Sequence, residues 1–80
     1  MSFDKRFYGM YQGICIDNQD PDLSYKIRVQ VPQVLGSSVT DWVYPCMSPG
    51  STEVPDVEQI VWVMFIAGDP NFPVWIGVMP

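Results

Sequence analysis

The side chains best suited to chemistry in this chain lie in one stretch, Asp17-Asn18-Gln19-Asp20-Pro21-Asp22. Asp17, Asn18, Asp20 and Asp22 are hard oxygen donors close together on a short segment, the donor set that a calcium ion selects. The spacing fails for a helix-flanked calcium loop, because Asp22 stands where that loop needs glycine and Arg28 where it needs the closing glutamate. Asp17 and Asp20 could in principle divide acid and base work, but neighbours as polar as Asn18 and Gln19 offer no apolar wall to raise one pKa above the other. The other reactive groups are the thiols of Cys15 and Cys46, neither with a second thiol at metal or redox spacing, and the chain has no histidine. With no nucleophile beside a base and no glycine-rich phosphate loop, the chain is expected to be neither an enzyme nor a holder of a metal or other cofactor. The acidic stretch reads instead as a turn, and the cysteines as reduced, partly buried packing residues; a Cys15–Cys46 disulfide stays open if neighbouring strands juxtapose them.

The elements that hold these groups are short strands. Residues 60–66, Ile-Val-Trp-Val-Met-Phe-Ile, and 74–78, Val-Trp-Ile-Gly-Val, flank a turn containing Gly68-Asp69-Pro70-Asn71, which predicts a β-hairpin with a longer loop. The clearest alternation is Lys26-Ile27-Arg28-Val29-Gln30-Val31, with Ile27, Val29 and Val31 on the inner face and Pro32 ending the strand. A strand from Tyr11 is expected to turn Ile14 and Ile16 inward, with Gly13 marking a bend. A fourth run, residues 42–47, contains Pro45 and so is expected at an edge or bend. Two prolines and a glycine between Ser48 and Val57 forbid a long helix there. Five short strands without helical periodicity call for an all-β domain, a small five-stranded OB-fold Greek-key barrel with little or no helix. The division is an N-terminal arm over residues 1–10 and one barrel over 11–80.

The hairpin carries the functional inference. Ile60, Trp62, Met64 and Ile66 lie on one face of its first strand and Val61, Val63 and Phe65 on the other, so both faces are apolar. One face can fill a small core; the other needs a cover from another chain. Phe3, Phe7 and Tyr8 in the arm are aromatic anchors, either for a neighbour or as a lid on the domain's own core. The subunit-interface candidates are therefore Phe3, Phe7, Tyr8, Trp62, Val63, Phe65, Trp75 and Ile76.

Composition agrees with an interaction protein. The chain has 80 residues, of which 48% are hydrophobic and 16% charged, with formal net charge -5, and a single domain of this size buries a modest share of its surface. The only cations are Lys5, Arg6, Lys26 and Arg28, too few to neutralise a phosphate backbone or an anionic membrane surface. The longest apolar run, residues 60–67, is far short of a spanning helix, no stable membrane insertion is expected, and no export signal is visible. The competing reading is an OB-type binding module for single-stranded nucleic acid or oligosaccharide with Tyr44, Trp62 and Trp75 as stacking platforms; the missing basic lining argues against the nucleic-acid form.

Taken in order, Gly13-Ile14-Cys15-Ile16-Asp17-Asn18, Asp20-Pro21, the strand from Lys26 to Pro32, Trp42 before Pro45, Pro55-Asp56-Val57 before Val61-Trp62-Val63-Met64-Phe65, Gly68-Asp69-Pro70 and Pro73-Val74-Trp75-Ile76-Gly77 form a series. It resembles the OB-fold domain of phage tail-spike and baseplate-hub proteins, shared with the spikes of type VI secretion and other contractile injection machines. The resemblance runs from about Tyr11 to Gly77. It implies a structural collar in a virion tail baseplate, assembled in the host cytoplasm, or in a cytoplasmic injection apparatus: a homotrimer between the tail-tube hub protein and a spike or needle protein. Two positions depart from the family pattern, Tyr25-Lys26 where Gly-Arg is usual and Glu58-Gln59 where Gly-Asp is usual. The second puts the tight turn before Ile60 under question, since glycine permits backbone angles that glutamate resists. Ending at Pro80, the sequence is expected to be a stand-alone collar or a spike whose needle is a separate polypeptide, and a chain without histidine is not expected to hold an iron-capped tip.

Overall fold

A computed structural model describes residues 6–48, 50 and 53–79. Five strands form it: β1 (Tyr11–Asp17), β2 (Arg28–Gln30), β3 (Tyr44–Pro45), β4 (Ile60–Phe65) and β5 (Pro73–Val78). One short helix, α1 (Pro32–Leu35), follows β2, and a 3-10 turn, Ile66–Gly68, follows β4. Proline stands at the start of α1, where its missing amide hydrogen is no loss, so Pro32 both ends β2 and opens the helical turn.

The strand order is β2-β1-β4-β5-β3, antiparallel except for the β3–β5 pair. The two ends of that order meet. Ile27 and Val43 exchange both backbone hydrogen bonds, at 3.2 and 2.7 Å, and Thr40 donates its amide to the Val29 carbonyl at 2.8 Å. The side-chain hydroxyl of Thr40 also accepts the Val29 amide at 3.0 Å. These contacts close the sheet into the five-stranded OB-fold barrel expected from the sequence, and closure removes the unpaired edges that invite aggregation. Pro45 does sit in the strand at the end of the order, where its missing donor costs least. Only Tyr44 and Pro45 of residues 42–47 form regular strand.

The interior contains Cys15, Ile27, Val29, Val31, Val43, Val61, Val63, Phe65 and Trp75. The alternating strand behaves as expected, with Ile27, Val29 and Val31 fully buried. The expectation for β1 is corrected: Gly13 and Cys15 face inward, Ile14 is half-buried and Ile16 exposed. The reason is space. A Cβ on Gly13 would lie 3.0 Å from Cγ2 of Val63 and 3.4 Å from the Gln30 carbonyl, so β4 approaches too closely for an isoleucine there. The irregularity of β1 is a register shift between Cys15 and Asp17, not at Gly13, which pairs in regular register with Val61. β5 has a second irregularity: Trp62 pairs with Gly77 and Val63 with Trp75, leaving Ile76 as the extra residue of a bulge.

Candidate functional site

Each candidate interface residue has a defined place except Phe3, which lies outside the described residues. Val63, Phe65 and Trp75 are corrections. All three are buried within the chain's own barrel, and the Trp75 indole donates to the Tyr25 carbonyl at 3.2 Å, so none has apolar surface left for another subunit. Their partners inside one chain account for them fully, because a closed barrel of this size needs one whole face of β4 to fill it. Phe7 acts as a lid: its ring lies 6.2 Å from Tyr11 and 6.1 Å from Phe65, and its amide donates to the Gly68 carbonyl at 2.7 Å. Tyr8 is exposed, its ring lying over Gly68 so closely that a Cβ there would come within 2.8 Å of it. Ile76 is half-buried and lines a cleft of about 930 Å³ beside β5, together with Met47, Val54 and Pro55.

The outer face of β1, β4 and β5 remains. Register places Gln12, Trp62 and Gly77 in one row across the three strands, Ile14 beside Ile60, and Met64 beside Val74. None of these side chains belongs to the interior, and Met64 is exposed. A Cβ added at Gly77 would meet open space, so the half-buried Trp62 has a vacant strip on the β5 side. The result is a continuous apolar strip of Ile14, Ile60, Trp62, Met64 and Val74 with no inner partner, on strands fixed by the barrel behind them.

The acidic stretch lies at one pole, formed by the β1–β2 connection and the segment before β4. The Asn18 side-chain amide donates to the Pro55 carbonyl at 2.9 Å and ties the two together. Asp20 is buried, and its carboxylate accepts the amides of Asp22 at 3.0 Å, Ser24 at 2.9 Å and Lys26 at 3.3 Å. Burial alone would push its carboxyl up; those three amides and the Lys26 ammonium outweigh burial and hold the pKa below its ordinary value. Lys26 donates to Asp22 at 3.0 Å, which is the main cause of its raised pKa, and its ammonium lies 5.0 Å from the Tyr44 ring centroid. These carboxylates therefore hold a turn, as expected, and no three metal-ligating side chains converge among the described residues.

Both thiols are free. Cys15 is buried, and burial together with the nearby Asp17 pushes its thiol up to about 11. Cys46, expected to be partly buried, is exposed instead, because β3 ends at Pro45 and Cys46 continues only by donating its amide to the Trp75 carbonyl at 2.7 Å.

Sequence reasoning missed the exposed apolar residues of the acidic pole. Leu23 is 84% exposed on a backbone with φ of 54°, and Tyr25 has φ of 62°. Glu58 has φ of 75° in the turn before β4. The signal lay in the two departures from the family pattern: both Tyr25 and Glu58 occupy left-handed positions that glycine fills without strain.

The fold thus presents a closed OB barrel with a half-exposed apolar face on β1, β4 and β5. The chain belongs to the family of type VI secretion system and phage-baseplate injector OB domains, whose sequence profile matches residues 11–79. Domains of this family have a structural role in a phage baseplate or secretion spike, which fits a virion tail or injection apparatus. Comparison with curated proteins gives no match. No helix among the described residues is long and apolar enough to cross a membrane.

Proposed function

We propose that this protein is a collar of the injector, a homotrimeric ring that joins the tail-tube hub to the central spike or needle of a contractile machine and works by packing alone. The observation that supports it is the half-exposed strip of Ile14, Ile60, Trp62, Met64 and Val74 on strands whose opposite face already fills the core. Burying that strip against a second copy stabilises the assembly by about 25 cal/mol per Å² of apolar area before ordering costs. A standard contact of roughly 800 Å² per partner is within reach of three adjacent strands.

Two substitutions separate the faces. Trp62→Asp places a charge on the outer strip, and is expected to reduce the mass measured by light scattering to that of a monomer while changing fold stability by no more than about 1 kcal/mol. Val63→Asp places the charge in the sealed interior and is expected to unfold the chain, since a domain of this length has only about 4–12 kcal/mol of stability to lose. A wild-type monomer at high concentration, or an unchanged oligomer in Trp62→Asp, rejects the collar.

A further inference from the structure

The outer strip does not exhaust the exposed apolar surface. At the acidic pole a recess of about 330 Å³ is lined by Asn18, Gln19, Asp20, Leu23, Tyr25 and Val54. Leu23 stands almost wholly in solvent, Tyr25 is exposed beside it, and Val54 lines the same recess half-buried. Leu23 and Tyr25 have no place in the barrel core, whereas Val54 packs against it. Leu23 is held outward by the turn itself, whose Asp20 carbonyl accepts the Leu23 amide at 3.0 Å.

The charge around this apolar centre identifies what it accepts. Eight carboxylates occur among the described residues, and six belong to the pole: Asp17 ends β1, Asp20 and Asp22 follow in the β1–β2 connection, and Glu53, Asp56 and Glu58 lie in the segment before β4; Asp41 and Asp69 lie elsewhere. The cations nearby are already engaged. Lys26 is bound to Asp22 at 3.0 Å, and Arg28 donates to the Thr40 carbonyl at 3.1 Å with its guanidinium 6.0 Å from the Trp42 ring centroid. Asp20 lines the recess and Asp22 follows in the same turn, while Glu53 and Asp56 line the neighbouring cleft, so the recess has an acidic rim whose negative field draws in cations and repels anions. A second copy of this pole is excluded by like charge, and nucleic acid and anionic membrane by the same sign. The outer strip has no such rim, since the register places Gln12, Ile14, Ile60, Trp62, Met64, Val74 and Gly77 there.

We infer that the pole formed by residues 17–26 and 53–58 is a docking surface for a different protein, one that presents an apolar side chain surrounded by lysine or arginine, with Leu23, Tyr25 and Val54 receiving the apolar anchor. This deepens the collar reading and rests on it in one respect, that the chain works among other proteins of one assembly. Self-association uses the strip; the heterologous contact uses the pole. The partner's chemistry is set by the pole: cations steer it, and the recess selects for an apolar anchor among them.

The test uses the full chain labelled with nitrogen-15 and a synthetic peptide bearing two leucines flanked by six lysines. Amide shifts are expected at residues 17–26 and 53–58, with affinity falling as salt rises. Leu23→Ser, which alters a side chain with no place in the core, is expected to weaken the peptide about tenfold, the order of one lost apolar anchor. A peptide with serine replacing leucine should lose a similar factor, and one with glutamate replacing lysine should not bind. Shifts on the outer strip, full affinity in Leu23→Ser, equal binding of the glutamate peptide, or no binding at millimolar peptide each overturn the inference. Light scattering on the same samples reports on the collar separately: Leu23→Ser leaves the oligomer intact if the two surfaces are distinct, and loss of the oligomer in that variant also overturns the assignment.

Discussion

Replacing Glu58 by glycine should stabilise this protein. Glu58 ends the turn before β4 with φ of 75°, where the Cβ of an L residue crowds the following carbonyl. That crowding costs about 1–2 kcal/mol, and glycine avoids it. Glycine in turn loses about 0.5–1 kcal/mol through the greater freedom of its unfolded chain. The midpoints of the two ranges leave a gain of about 0.75 kcal/mol, and lost contacts do not cancel it: the Glu58 side chain is exposed, and the hydrogen bond to the Cys15 carbonyl at 2.6 Å comes from the backbone amide. In a domain of this size that gain raises Tm by about 2–8 °C, readable by scanning calorimetry at fixed protein concentration. Two controls distinguish backbone from charge. Glu58→Ala keeps the Cβ and Glu58→Gln keeps the whole side-chain outline, and each should stay within about 1–2 °C of wild type. An unchanged or lower Tm for the glycine variant refutes the strain, and an equal rise in Glu58→Gln assigns the effect to relief of like-charge repulsion instead.

The two thiols should differ in reactivity: at pH 8 in the native state Cys46 reacts with a disulfide reagent at the rate of an open thiol, whereas Cys15, buried and pushed up to about 11, reacts only on unfolding. Two fast equivalents in the native protein would contradict the burial of Cys15. Stability should be flat through neutral pH and fall at both extremes. The depressed Asp20 carboxyl contributes stability that is full above the ordinary aspartate value and is lost as pH drops through its lower folded value. Lys26, whose pKa is raised mainly by Asp22, contributes stability that is full below the ordinary lysine value and is lost as pH climbs through its higher folded value. Denaturant midpoints across the pH range check both arms, and Asp20→Asn should flatten the acid arm.

The barrel was legible because its signals are local and redundant. The alternation of Ile27, Val29 and Val31 could only be a half-buried strand, and the hairpin around Gly68-Asp69-Pro70 announced β4 and β5. The two-sided character of β4 was also visible, but which side faces in was not. That choice depends on β1, where period two alone favoured Ile14 and Ile16 as the inner pair. Only the approach of Val63 to Gly13 decides the opposite orientation, and such an approach is a tertiary fact with no pattern in sequence. For the same reason Val63, Phe65 and Trp75 read equally well as contact or core residues until the barrel was closed around them. The pole was illegible as a surface because its carboxylates come from segments more than thirty residues apart, joined by the Asn18–Pro55 hydrogen bond across 37 positions of sequence. Its strained residues left a trace only through two places where glycine is usual.

The closure between β2 and β3 differs from every other boundary of the sheet. Elsewhere consecutive ladder pairs lock neighbouring strands; there, isolated bridges and the hydroxyl of Thr40 complete the circuit. Parting those few bonds leaves the ladders of β1 with β2 and of β4 with β1 and β5 intact. The circuit is thus completed by a seam unlike the ladders, in which isolated backbone hydrogen bonds and one side-chain hydroxyl carry the closure, so the barrel's girth rests on Ile27, Val29, Thr40 and Val43.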